Sequence, residues 1–191
     1  MSDAADAASR PDDVIAAVQA DHVEIKDLFS QVGSAAGIDA KRDSFERLVR
    51  KLAVHETAEE EVVHPLLYQA PGGEAVAEAR VQEESKSKDL LSELEKMGVG
   101  DPEFDARFAQ LRSEVLVHAE REEHEEHPKL EQALDREKLQ QLAGVFRAAE
   151  SMAPTHPHPK GPDTALGNMV VGPFAAVADR ARDAIRDFTK R

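Results

Sequence analysis

The sequence predicts an all-α protein, an up-down-up-down four-helix bundle with extra C-terminal helices. Three observations support this fold class. Helix-forming Ala, Leu, Glu, Lys, Arg and Gln dominate the 191 residues, with one Tyr and no Trp. Apolar residues recur at spacings of three and four over four long stretches. Short segments rich in Gly, Pro or Asp separate these stretches, as the short connections of an antiparallel bundle require.

The first two predicted helices each carry polar residues in an apolar stripe. Helix 1 is predicted from the Pro-Asp-Asp cluster at 11–13, which favours a first helical turn, to Gly33. Its stripe is Ile15, Val18, His22, Ile25, Phe29 and Val32. Helix 2 follows a loop at Gly37 and Asp39, and Pro65 should kink or end it. Its stripe is Phe45, Leu48, Leu52, His55, Glu59, Val62 and Leu66.

The next two helices repeat this arrangement. Helix 3 is predicted from Glu74, after the PGG break at 71–73, to Gly98. Its stripe is Ala77, Val81, Glu84, Leu91 and Leu94, with Ser87 or Lys88 in the gap. Helix 4 is predicted to open at Asp101 and Pro102, a cap followed by a first-turn proline. Its stripe is Phe104, Phe108, Leu111, Val115, His118 and Glu122.

We expect the chain to divide into four parts. A disordered leader spans 1–10, and the bundle plus a capping helix at about 136–150 occupies 11–150. A Pro-rich linker follows at 151–172, and a C-terminal amphipathic helix at 173–191. The apolar face of that last helix could pack on its own domain or on a second copy of the chain, in a homodimer.

Composition excludes several classes of function. The net charge of −14 argues against a nucleic acid or an anionic membrane surface as partner. The absence of Cys excludes disulfides, zinc–thiolate sites and iron–sulfur clusters. The N-terminus lacks an apolar signal-peptide core, and no run approaches eighteen apolar residues. A soluble, cytoplasmic protein is therefore expected.

One motif occurs twice, with a separation of sixty-three positions. Residues 55–67 read HETAEEEVVHPLL and residues 118–130 read HAEREEHEEHPKL. Both runs have a His, a Glu four residues later, a second Glu five residues later, then His-Pro and a Leu. Four residues is about one helical turn, so each run can point an imidazole and a carboxylate in the same direction. His and Glu are both metal-ligand types.

The motif residues and two further side chains interrupt the four stripes near mid-helix. The predicted metal ligands are His22, His55, Glu59, Glu84, His118 and Glu122. Three carboxylates in one core layer are costly without a counter-charge, and Lys88 alone lies near them in the pattern. A bound pair of cations is the simplest compensation, because facing helices of a bundle can supply a dimetal site. In an alternative arrangement, Glu84 turns outward to Lys88 and leaves one metal short of a ligand.

This pattern resembles the hemerythrin-like family, also called HHE cation-binding domains, over about residues 12–135. The family pattern is a His on helix 1, HxxxE on helix 2, a His on helix 3 and HxxxE on helix 4. The sequence matches it at His22, at both HxxxE pairs and at the Glu-Glu and Pro that follow them. Helix 3 departs from it, since the segment VQEESKSKDLL has no His. Overlaying DHVEIKDLFS at 21–30 on EESKSKDLLS at 83–92 places Glu84 at the position of His22.

The resemblance implies iron, in an oxo- or hydroxo-bridged di-iron centre, with O2, peroxide or NO as small ligands. Glu59 and Glu122 would bridge the metals, the three His would be terminal ligands, and Glu84 would be terminal or bridging. A shell of three His and three Glu favours ferric over ferrous iron, which disfavours reversible O2 carriage. The expected function is peroxide decomposition, ferrous-iron oxidation, or a response to O2 or NO. Two alternatives stay open: a non-catalytic oxygen or redox sensor that signals through the C-terminal helix, and a bundle that binds zinc or no metal. Whether the protein is an enzyme is also left open.

Other His and Glu residues receive weaker assignments. His64 and His127 follow the motif His by nine residues, about 180° around an ideal helix, which indicates packing near a bundle end. Glu56 could reach the metal. The remaining candidates are predicted to support the site or lie on the surface or in the linker: Glu60, Glu123, His124, His156 and His158.

Overall fold

The computed structural model describes residues 12–156, and the regular structure in that range is entirely helical, as the predicted all-α class requires. The α-helices are α1 (Val14–Ser34), α2 (Ile38–Ala58), α3 (His64–Leu67), α4 (Glu74–Met97), α5 (Phe104–Arg121), α6 (His127–Ala133) and α7 (Arg136–Met152). Two π-helical turns, π1 (Glu59–Val63) and π2 (Glu122–Glu126), join α2 to α3 and α5 to α6. The predicted leader, most of the Pro-rich linker and the C-terminal helix lie outside the described residues.

Acidic side chains fix the start of two helices. The carboxylate of Asp13 accepts a hydrogen bond from the backbone N–H of Ala16 at 2.9 Å, which caps α1. Asp135 caps α7 in the same way. The prediction for Asp101 needs a correction, because α5 begins at Phe104 and Asp101 accepts from the N–H of Glu103 at 2.8 Å. Asp101 therefore caps the turn that precedes the helix.

The buried face of α4 also differs from its predicted stripe. Arg80 is 2% exposed, whereas Val81 lies only partly buried. Apart from Leu90, the buried residues keep the three-four spacing of a helical stripe, with Ser87 rather than Lys88 in the gap: Ala77, Arg80, Glu84, Ser87, Leu91 and Leu94. The sequence prediction preferred the apolar Val81 one position later. Nη2 of Arg80 lies 3.3 Å from Oε1 of Glu83 and 3.6 Å from Oε2 of Glu125, and these contacts partly compensate its burial.

The core consists of two apolar clusters separated by a polar layer. One cluster includes Val18 of α1, Ala58 of α2 and residues of α7 such as Phe146. The other includes Ile25 of α1 and Leu52 of α2, with a group of aromatic rings from α1, α2 and α5. Each helix that crosses both clusters carries its polar residues between them. We call this the polar layer, and its members are His22, His55, Glu59, Glu84, His118 and Glu122.

The helices pack so that this layer is enclosed. The largest contacts join α1 to α2 and α4 to α5, and α1 also contacts α5. α7 covers α1 and α2 and contacts π1. None of the helices between residues 12 and 156 combines the length and apolar character that crossing a membrane requires.

Candidate metal centre

Each HxxxE motif lies across the junction between an α-helix and a π turn. His55 is in the last turn of α2 and Glu59 is the first residue of π1; His118 and Glu122 occupy the same places in α5 and π2. A π turn forms i→i+5 hydrogen bonds, so it accommodates an additional residue, and such turns are frequent at functional sites. The side chains after each turn therefore leave the register of the preceding α-helix.

The structure brings all six predicted ligands together in the polar layer. His22 and His118 are each 8% exposed, and the other four are 4% exposed or less. One potential ligand atom from each member lies within 4.8 Å of the others in two groups: His22, His55, Glu59 and Glu122; and Glu59, Glu84, His118 and Glu122. Glu59 and Glu122 belong to both groups, so each could contact two ions held side by side.

The three predicted His ligands direct Nε2 into the layer. Nε2 of His118 lies 2.9 Å from Oε1 of Glu122, and Nε2 of His22 lies 3.1 Å from Oε2 of the same carboxylate. Nε2 of His55 lies 3.4 Å from Oε2 of Glu59. The two oxygens of Glu122 thus face different imidazoles.

Three carboxylates outside the layer hold the opposite side of these imidazole rings. Nδ1 of His55 donates to Asp21 at 3.1 Å, Nδ1 of His118 to Glu83 at 3.0 Å, and Nδ1 of His22 to Glu123 at 2.8 Å. Such hydrogen bonds fix ring orientation and raise the basicity of the ligating nitrogen. Sequence reasoning missed Asp21 and Glu83 in this role. Each of the three carboxylates directly neighbours a polar-layer residue in sequence but supports a His on another helix, a pattern that could have identified them.

The buried polar atoms of the layer fit a cation. Both carboxylate oxygens of Glu59, Glu84 and Glu122 are buried without a hydrogen-bond partner among the described residues. An uncompensated buried carboxylate costs several kcal/mol. Nζ of Lys88 is 3.9 Å from Glu84, too far for a hydrogen bond. Glu84 is 1% exposed and faces His64 and His118, so the outward-turned alternative does not describe the structure.

The electrostatics of the layer lead to the same interpretation. Burial raises the pKa of Glu122, but contacts with His118 and His22 outweigh it and hold that pKa well below its usual range. Burial, followed by repulsion from Glu122 and Glu84, raises the pKa of Glu59 well above its usual value. The pKa values of the two shared carboxylates are thus shifted in opposite directions, which favours the ionised form of Glu122 and the protonated form of Glu59. A pair of dications would allow both to ionise.

His64 does not lie where the sequence placed it. Its side chain is 3% exposed, and Nε2 lies 3.1 Å from Oε1 of Glu84, without the alignment of a hydrogen bond. The angle of 180° from His55 assumed an unbroken α-helix. The π1 turn contains one additional residue, so His64 lies at the angle expected eight rather than nine positions after His55. That angle is about 80°, and the imidazole therefore turns toward the layer. His127 is also buried and stacks on His22, with ring centroids 6.3 Å apart.

Two more glutamates lie beside the layer. Glu56, which was predicted to be within reach of the metal, is 5% exposed, and Glu126, which sequence reasoning missed, is fully buried. Burial, which outweighs the influence of nearby cations, raises the pKa of each to about 8. Glu60 forms an ion pair with Lys88 at the edge of the site. The site thus contains more buried carboxylates than the three in the predicted ligand set.

A small cavity adjoins the layer on its apolar side. Its volume is about 10 Å³ and it touches His22, His55 and His118. Ile25, Leu52 and Val115 contribute apolar walls. A space of this size accommodates about one water-sized molecule.

A family model described as the hemerythrin HHE cation binding domain matches residues 13–130. An uncharacterized hemerythrin-like protein of Schizosaccharomyces pombe is 29% identical over 169 residues, which are 87% of this chain and 83% of that protein. A protein of a Nostoc species named DNA nickase is 28% identical over 134 residues, 70% of this chain but 38% of that protein's length. No solved structure matches significantly.

Proposed function

The chain belongs to the hemerythrin HHE cation-binding domain family, and on that premise we propose that its polar layer binds two iron ions. The observation that carries the proposal is the pair of buried ligand groups that share Glu59 and Glu122. These two glutamates would serve both ions. His22 and His55 would help to hold one ion, and His118 and Glu84 would help to hold the other. An up-down-up-down arrangement of α1, α2, α4 and α5 around the ions is part of the same proposal.

The proposed activity is oxidation-linked: peroxide decomposition, ferrous-iron oxidation, or a response to O2 or NO. Iron would supply one-electron redox chemistry and Lewis acidity. The chain contributes a ligand set of three imidazoles and three carboxylates, whose anionic oxygens stabilise the ferric state. The cavity of about 10 Å³ beside the three His leaves room for a small molecule next to the proposed ions.

Metal analysis tests the proposal first. Protein purified from iron-replete cells should contain about two iron ions per chain, as dimetal bundle proteins do, and should turn over peroxide or ferrous iron at steady state. Less than about one iron per chain, or zinc in its place, would contradict the di-iron assignment. Bound iron without turnover would leave the metal assignment intact and exclude the enzymatic part.

Replacing Glu84 by His tests the chemical role of the missing family His. A neutral imidazole removes one anionic ligand from the second metal, so the ferrous state gains stability relative to the ferric state. We expect a higher midpoint potential and a shift from turnover toward reversible O2 binding. Potentiometry and absorption spectra of E84H and the wild type provide the measurement. If the absorption bands and peroxide turnover are identical in the two proteins, Glu84 is not a ligand.

Replacing Asp21 by Asn tests how the ligands are positioned. Asn retains the shape of Asp21 but removes the charge that orients His55 and polarises its ring. We expect metal affinity to fall roughly 10- to 100-fold, the usual effect of losing such a partner. Competition with a chromophoric chelator measures the affinity. Glu24→Gln is the matched control, because Glu24 also contacts Lys51, at 3.2 Å, but is not a hydrogen-bond partner of His55. Equal loss in both variants would assign the effect to Lys51.

A second candidate function, redox sensing, has a specific structural basis in the contacts between α7 and the site. Nζ of Lys51 lies 2.5 Å from Asp21 and 3.3 Å from Glu150 of α7, and Asp21 accepts from His55. A change at His55 can therefore reach α7, which ends shortly before residues 157–191. Limited proteolysis after residue 156, compared between oxidised and reduced protein, tests this function. A redox-dependent cleavage pattern without turnover would favour the sensor over the enzyme.

DNA cleavage is not part of the proposal, although one relative carries the name DNA nickase. The aligned region covers 38% of that relative's length, and the net charge of −14 opposes association with a phosphate backbone. Incubation of the iron-loaded protein with supercoiled plasmid, with catalase present to remove peroxide, tests the exclusion. Metal-dependent nicking under those conditions would show that the activity extends to this chain.

A further inference from the structure

We propose a third cation position beside the pair, formed by His64, Glu126 and Glu122, which binds a divalent transition-metal ion. The inference rests on the proposed function, because Glu122 would also serve the pair. One potential ligand atom from each of these three residues lies within 4.8 Å of the others. An imidazole with two carboxylates suits ferrous iron and other first-row dications.

Unpartnered buried groups provide independent support. His64 is 3% exposed, and neither of its ring nitrogens has a hydrogen-bond partner within the described range. Glu126 is fully buried, and both of its carboxylate oxygens lack a partner there as well. Neither residue is needed by the two ligand groups of the pair. A cation between them would satisfy groups that otherwise remain costly to bury.

The two π turns create this position. His64 directly follows π1, and Glu126 is the last residue of π2. Both side chains would point elsewhere in continuous α-helices, since each turn shifts the register. The two copies of the motif differ here: Val63 stands where the second copy has Glu126. Only the second copy of the motif therefore provides the additional carboxylate.

The third position should bind more weakly than the pair. The imidazoles of His22, His55 and His118 each have Nδ1 held by a carboxylate, whereas Nδ1 of His64 is not held in this way by any described residue. Loss of such a partner typically weakens metal binding 10- to 100-fold. The ion at His64 would therefore exchange more readily than the other two.

His127 provides a matched control within the same chain. It occupies in the second copy of the motif the place that His64 occupies in the first. It is equally buried, at 3% exposed, and its ring nitrogens are also unpartnered among the described residues. However, it belongs to none of the ligand groups found between residues 12 and 156, and it stacks on His22 instead. A general effect of removing a buried imidazole should therefore appear in both His→Leu variants.

Anaerobic titration of the metal-free 191-residue chain with Co²⁺ tests the proposal. Calorimetry and visible absorption together measure stoichiometry, affinity and coordination. We expect the wild type to bind two ions tightly and a third roughly 10- to 100-fold more weakly. His64→Leu and Glu126→Gln should each lose the third ion and keep the tight pair, while His127→Leu should keep all three. Glu126→Gln preserves side-chain volume, so it provides the test if His64→Leu does not fold.

Three outcomes would overturn the third position. The wild type could bind two ions only, or both variants could retain three. Alternatively, His64→Leu could lose a tight ion, which would make His64 a ligand of the pair. Each of these leaves the proposed di-iron function standing. Fewer than about one tightly bound ion in the wild type would instead contradict the proposed function, and the third position with it.

Discussion

Replacement of Glu122 by Gln is expected to abolish binding of both metal ions of the proposed pair. Glu122 belongs to both ligand groups, and its two oxygens face His118 and His22 at 2.9 and 3.1 Å. Gln keeps the volume but supplies a neutral amide in place of a bridging carboxylate. Iron content measured by mass spectrometry should fall from about two ions per chain to less than about half an ion.

Two control substitutions make this result specific. Glu131→Gln removes an exposed charge from α6 and should leave the iron content unchanged. Glu123→Gln changes the residue next to Glu122, whose carboxylate accepts from Nδ1 of His22, so it should weaken binding without abolishing it. If Glu122→Gln retains both ions, Glu122 is not a shared ligand and the bridging arrangement is wrong.

The six polar-layer residues could be located from sequence because each lies within an α-helix or at the first residue of a π turn. Up to that point, a three-four spacing correctly identifies the buried face of an α-helix. In α1 the stripe around His22 is buried throughout, and in α5 the same holds around His118. The spacing therefore predicts that the polar residues of a stripe are as buried as the apolar residues before and after them.

Residues beyond the π turns could not be located in this way. The segments EEEVV and EEHEE contain no residue that distinguishes a π turn from an α-helix, so the sequence predicted an unbroken register. The displaced residues, His64 and Glu126, were consequently misplaced or missed. Arg80 was missed for another reason, since a buried guanidinium is rare and the neighbouring Val81 was the more probable core residue.

The positioning carboxylates act across contacts between helices, which the residue spacing within one helix does not encode. Asp21 supports His55 of α2, and Glu83 of α4 supports His118 of α5. Helical periodicity describes which face a residue occupies, but it does not give the neighbour opposite that face. The internal repeat shows which residues of the two motif copies correspond, but it does not show which helices contact each other.

Buried acids make the metal-free protein sensitive to pH in a direction that can be worked out. Burial raises the pKa of Glu56 and of Glu126 from 4.5 to about 8, despite nearby cations. Between these two values the folded protein holds a proton that the unfolded chain releases, so stability falls as pH rises toward 8. Burial lowers the pKa of His127 to about 4, so this residue makes stability rise with pH. Its contribution stops changing above about pH 6.5, the ordinary pKa of His. His64 reinforces the trend: burial lowers its pKa, yet nearby Glu84 and other acids raise it to about 9.

The melting temperature of the metal-free protein should therefore fall by roughly 10 °C between about pH 6.5 and pH 8. Each of the two glutamates contributes about 1.4 kcal/mol per pH unit, or of the order of 4 kcal/mol together over this window.

Bound metal should remove most of the trend, because cations keep the carboxylates ionised and exclude the protons. Calorimetric scans of chelator-treated and metal-loaded protein provide the comparison. Glu126→Gln should make the slope of the metal-free protein shallower without removing it, since one of the contributing groups no longer titrates while Glu56 and His64 still do. A metal-free melting temperature that stays constant or rises over this range would mean that these carboxylates are already ionised, and that the layer does not depend on a cation for its charge balance.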